Sequence, residues 1–90
     1  MNNLRRKRIS SLGDRIAGLQ EQMEILMELL DQIHDDEQEA FENMPESLEG
    51  SERWNASEAA VEALESAYDN LETAKDGLDD VISDLDTAVE

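Results

Sequence analysis

Ninety residues make one small domain, 1–90, and a formal net charge of -17 excludes nucleic acid and anionic membrane as direct partners over most of its surface. Phe41, Trp54 and Tyr68 are the only aromatic residues and cysteine is absent, which argues against a compact globule and rules out a disulfide framework or a thiolate metal site. What is left is a chain rich in Ala, Leu, Glu and Asp with a 3.5-residue period, the composition of a coiled coil or helix bundle.

The start, Asn2 to Arg8, is basic and has no apolar stretch after it, so no signal peptide is expected. No apolar run reaches the ~20 residues needed to span a bilayer. The lack of cysteine fits a cytoplasmic protein. Helix 1 is expected over about 3–43, capped by Asn2 or Asn3. Its apolar seam reads Ile9, Leu12, Ile16, Leu19, Met23, Leu26, Leu30 and Ile33, in steps of three and four. Gly13 and Gly18 each weaken the helix by ~1 kcal/mol relative to Ala. Between Ile25 and Leu30 the apolar surface widens, because Ile25, Met27 and Leu29 lie off that seam. One neighbouring helix does not need that width, so a second copy of the chain is expected to cover it.

Pro45 stops the helix, and residues 44–50 form the turn. Helix 2 is expected over about 51–90, with Ser51 as cap. It carries heptads with Trp54, Val61, Tyr68, Ile82 and Val89 at a, and Leu64, Leu71, Leu78 and Leu85 at d. Lys75 falls at an a position, where it sets register or reaches out to solvent. Both helices would be about 60 Å long at ~1.5 Å per residue. The short turn makes them antiparallel. The fold class is therefore all-α: a long antiparallel helical hairpin of coiled-coil type. The g positions Ala60, Ala67, Ala74, Val81 and Ala88 are small enough to admit further helices. A homodimer forming a four-helix bundle follows, with Ile25, Leu26, Leu29, Leu30, Leu71 and Leu78 as its oligomer seam.

A row of acids runs beside the helix 2 seam: Glu58, Glu62, Glu65, Asp69, Glu72, Asp76 and Asp79, continued by Asp86 and Glu90 after a gap at Ser83. Helix 1 adds a second row, Glu21, Glu24, Glu28, Asp31, Asp35, Glu39 and Glu42. Solvated helices ordinarily pair such acids with Lys or Arg four residues on, yet residues 54–90 contain one cation, Lys75. Carboxylates roughly 5 Å apart along a rod approach the charge spacing of a nucleic-acid backbone. Two readings stay open: a nucleic-acid mimic whose acids meet the Arg and Lys of a target, and a coiled-coil interaction or scaffold module whose acids only keep it soluble.

Other constellations are weaker. His34, with Asp31 and Glu37 three residues to either side, resembles half of a two-metal helical site. A surface histidine made more basic by acidic neighbours explains it as well. No nucleophile with its base, phosphate loop or zinc spacing is present, so neither an enzyme nor a cofactor is expected. Arg5, Arg6, Lys7, Arg8 and Arg15 give residues 1–15 a net charge of +4. They are expected to pair across the hairpin with Asp79, Asp80, Asp84, Asp86 and Glu90.

The stretch Asp36 to Arg53, DEQEAFENMPESLEGSER, resembles small acidic helical-hairpin proteins of bacterial phages and other mobile elements. In these, an acidic helix ends in an Asn-Met-Pro-Glu-Ser-Leu turn followed by Gly-Ser-Glu-Arg and a second acidic helix. The resemblance covers most of the chain, and its turn is the specific part. The resemblance carries no activity residue by residue, but the mobile-element origin it implies favours mimicry, because such elements often encode small acidic inhibitors of the anti-CRISPR or anti-restriction kind. The partner would be a basic nucleic-acid-binding protein, most simply a host defence nuclease.

Overall fold

The computed structural model describes residues 2–90, so Met1, the first residue of the expected domain, lies outside the described residues. Two helices, α1 (Asn3–Glu42) and α2 (Glu52–Ala88), account for nearly all of them, and no strand is found among the described residues. The expected limits of 3–43 and 51–90 move inward by one or two residues. Asn2 is the first cap, with its Oδ1 accepting the Arg5 N–H at 2.8 Å. Ser51 is the second, its Oγ accepting the Trp54 N–H at 3.2 Å. Each satisfies an amide that the first turn of a helix leaves without a partner.

The turn is built from residues with fixed preferences. Pro45 cannot continue α1. A single 3-10 turn, Glu46–Leu48, follows it, and the Leu48 N–H donates to the Pro45 carbonyl at 2.9 Å. Gly50 then takes φ +82°, a left-handed conformation that reverses the chain at little cost only without a Cβ. Phe41 and Trp54 meet across the turn with ring centroids 4.8 Å apart and planes tilted by 57°, which pins α2 against α1.

From there the helices run antiparallel along the full hairpin, whose Cα extents are 70 × 16 × 14 Å. Cross-helix bonds join His34 to Glu65, Glu24 to Lys75 and Gln20 to Asp79, so residue numbers fall in α1 as they rise in α2. A two-helix rod this thin has little interior. Met27 and Val61 are its buried apolar side chains, and Ser57 its buried polar one.

The seam of α2 is as read from the heptads, with Trp54, Val61, Leu64, Tyr68, Leu71, Leu78, Ile82, Leu85 and Val89 turned inward. The seam of α1 is corrected. Ile9, Ile16, Met23 and Leu30 do face α2, but the alternate positions are Gly13, Gln20, Met27, His34 and Phe41. Leu12, Leu19, Leu26 and Ile33 are exposed. Two rows of α1 share the positions 9, 16, 23 and 30, one continuing at +3 and the other at +4. The more apolar row loses because the stack of Phe41 on Trp54 and the turn fix which face of α1 meets α2. Glu37 completes the inner row near the turn, where its carboxylate accepts the hydroxyl of Ser57 at 3.0 Å.

Candidate acidic interface

With the inner row of α1 established, its heptad letters follow: a at Gly13, Gln20, Met27, His34 and Phe41, and d at Ile9, Ile16, Met23, Leu30 and Glu37. In an antiparallel pair the e positions of the two helices flank one side of the seam and the g positions flank the other. On the e side α1 presents Glu24 and Asp31, with Glu21, Glu28, Asp35 and Glu42 next to them at b. On the same side α2 presents Glu58, Glu65, Glu72, Asp79 and Asp86 at e, and Glu62, Asp69 and Asp76 at b. All of these side chains are exposed. The two acidic rows thus lie side by side along one long face. Together they place roughly one carboxylate per 2.6 Å of rod, from two rows each rising about 5 Å per acid. Duplex DNA carries one charge per ≈ 1.7 Å.

Three polar seam residues reach outward to this face, each to an e-position acid of the opposite helix. Gln20 Nε2 donates to Asp79 Oδ1 at 2.7 Å and to the Lys75 carbonyl at 3.1 Å. Lys75 Nζ lies 2.7 Å from Glu24 Oε1. His34 Nε2 lies 3.0 Å from Glu65 Oε1. These rungs hold the acidic rows of the two helices in fixed relation. Lys75 therefore pairs across the hairpin. The bond to Glu24 raises its pKa above the ordinary lysine value.

His34 sits within the seam, with its side chain 20% exposed, and is less of a surface residue than its neighbours suggested. Its pKa is raised above the ordinary 6.5, first by the hydrogen bond to Glu65, which outweighs the opposing effect of burial, and then by Asp35. One ligand atom from each of Asp31, His34 and Asp35 can come within 4.8 Å of the others. Glu37, the acid expected beside His34, instead bonds Ser57. Both ring nitrogens of His34 already face carboxylates, Glu65 and Asp35. Asp31 and Asp35 open to solvent and do not converge inside a bundle, as a two-metal helical centre requires.

The expected pairing of the basic segment with the C-terminal acids does not form. Among the described residues, Arg5, Arg6, Lys7, Arg8 and Arg15 make no ion pair within 4 Å, and the ion pairs present lie at mid-rod (Glu24 with Lys75) and toward the turn (His34 with Asp35 and Glu65). For residues 5–8 the reason is register: Asp86 and Val89 of α2 pack beside Ile9 and Gly13, so these residues extend to the very end of α2, whereas Arg15, at c of α1, lies on the side of the hairpin away from Asp79 and Asp86 at e.

The other side of the hairpin is apolar. Leu12, Leu19, Leu26 and Ile33 occupy g of α1, flanked by Leu29 and Ile25, and stand beside Ala60, Ala67, Ala74 and Val81 at g of α2. Of the expected oligomer seam, Ile25, Leu26 and Leu29 lie on this outer surface, whereas Leu30, Leu71 and Leu78 are half-buried between α1 and α2. Sequence reading missed Gln20, Met27, Glu37 and Ser57 as seam residues. The signal for them was the aromatic pair bracketing the turn, which sets the register of everything beyond it.

No protein-family model, curated protein or solved structure matches the chain. None of the helices is long and apolar enough to cross a membrane.

Proposed function

We propose that the protein is a nucleic-acid mimic, a non-enzymatic inhibitor that occupies the basic nucleic-acid groove of a host defence nuclease of CRISPR or restriction type, or of another DNA-binding protein. The observation that carries this reading is the pair of carboxylate rows on one face of a straight rod. Glu58, Glu62, Asp69, Glu72, Asp76 and Asp86 have no ion pair among the described residues and stand in for phosphates. Arg and Lys of the target meet them, so the interaction weakens as salt screens it. The likeness of the turn to those of phage and mobile-element hairpins supports the same reading. The protein acts in the cytoplasm, without cofactor or membrane, and as a homodimer whose four-helix bundle turns the acidic faces outward.

The test is capture of targets from host lysate on the immobilised protein, eluted with a salt gradient and competed with duplex DNA. A nuclease or DNA-binding protein that leaves at moderate salt and is displaced by DNA is the expected result. Changing Glu62, Asp69, Glu72 and Asp76 together to Lys should abolish its inhibition while circular dichroism stays helical. An inhibitor unaffected by that fourfold reversal would sink the reading.

The exposed apolar stripe of α1 favours a second reading, an interaction or scaffold module that works through Leu19, Leu26 and Ile33. It expects a partner that stays bound through high salt, ignores DNA and is lost on Leu26→Asp.

A further inference from the structure

We infer that the apolar face is closed by a second copy of this chain in one arrangement, with the two hairpins antiparallel and the turns at opposite ends. The inference rests on the homodimer proposed above and specifies its symmetry.

The first observation is that the two g stripes, each in even steps of seven, have their midpoints at one level of the rod. In α1, Leu12, Leu19, Leu26 and Ile33 centre between Gln22 and Met23. In α2, Ala60, Ala67, Ala74, Val81 and Ala88 centre on Ala74. The hairpin brings these centres to one level. Gln20 and Glu24, which bracket the first centre, both bond Lys75, the residue next to Ala74. A single two-fold axis perpendicular to the rod passes both points. It sets Leu12 against the partner's Ile33, Leu19 against the partner's Leu26, and Ala74 against the partner's Ala74. An isologous interface requires such self-complementarity.

Charge is the second observation. Residues 21–75, the turn half of the hairpin, hold seventeen of the twenty-four acids and two of the seven cations. A dimer with both turns at one end stacks these two acidic halves on each other. The antiparallel dimer sets each against the basic start of its partner. Arg8 and Asp36 occupy the same heptad position, c, at the outer edge of the face, and the axis brings Arg8 beside the partner's Asp36. This gives Arg8 the ion pair it lacks among the described residues of its own chain.

The chain has no cysteine, so disulfide trapping reads the arrangement directly. Gln22→Cys lies next to the axis and should link to itself on mild oxidation. Leu12→Cys and Ile33→Cys should not self-link, but their mixture should give the heterodimer. All three positions are exposed in the hairpin, so the fold is retained, and circular dichroism checks that. Arg8→Glu and Asp36→Arg should each weaken dimerisation by about tenfold, since each disrupts two symmetric pairs, and the double variant should restore it. Sedimentation of the wild type separates the two ways to fail. A monomer at all concentrations sinks the dimer itself. A dimer in which Gln22→Cys does not link, or Leu12→Cys links to itself, keeps the dimer and overturns this arrangement.

Discussion

Helix α2 carries one apolar stripe and buries it. Helix α1 carries two that share every other residue and buries only one, the less apolar of them. The contrast is sharpest at neighbouring positions: Met27 is 9% exposed and Leu26 is 52% exposed. A helix with a single stripe needs one partner. The second stripe of α1 is surface for which the hairpin has no use, and it stands opposite the acids. Sidedness, more than net charge, is what separates this molecule from an ordinary acidic coiled coil. Acids spread evenly around a rod only make it soluble, whereas acids concentrated on one long face make a surface another protein can dock on.

Three experiments divide the inner stripe from the outer. The largest effect belongs to Met27→Ala, which should lower hairpin stability by about 2 kcal/mol at any protein concentration, as for a buried core truncation. Leu26→Ala should cost under ~0.5 kcal/mol in dilute protein, like other surface changes. A larger loss should appear only at concentrations where copies associate. Denaturant melts at two concentrations compare them, and equal losses for the two variants would place both residues on one face. Next comes Gly13→Ala. A Cβ there meets nothing within 4 Å, and the helix gains about 1 kcal/mol of propensity. A loss of stability would mean that the seam at Gly13 is closed.

The smallest effect is that of pH on His34. Its folded pKa lies above the unfolded value of 6.5, so its contribution is fully present below 6.5 and is lost as pH rises through the folded pKa. The melting temperature should therefore fall as pH rises from about 6 to 8. His34→Gln should flatten that slope, and Glu65→Gln should reduce it. A slope unchanged in both variants would remove the cross-helix bond from the account.

Much of the fold was legible because few residues decide it. Pro45, Gly50 and the two caps at Asn2 and Ser51 mark the elements to within two residues, and the heptads of α2 name its buried side directly. The inner side of α1 was not legible from hydrophobicity. Its true row includes Gly13, Gln20, His34 and Glu37, which no apolar count selects, while Leu12, Leu19, Leu26 and Ile33 form a better stripe that faces out. That choice is made by a non-local contact, Phe41 on Trp54, and by polar rungs that exist only once the helices have paired. The acidic rows of each helix could be read from spacing. That the two rows share one face could not, because it depends on the same register.

Under the proposed mimicry, the 70 Å length of the rod would also make it a ruler. At about 3.4 Å per phosphate on each strand, it matches roughly twenty base pairs, two turns of duplex. A groove that holds a much shorter stretch of nucleic acid would leave most of the carboxylates hanging in solvent. Removing one heptad from each helix would shorten the rod by about 10 Å and leave the register of the turn untouched. If the proposed inhibition holds, its loss on such a deletion would measure how long a groove the target presents.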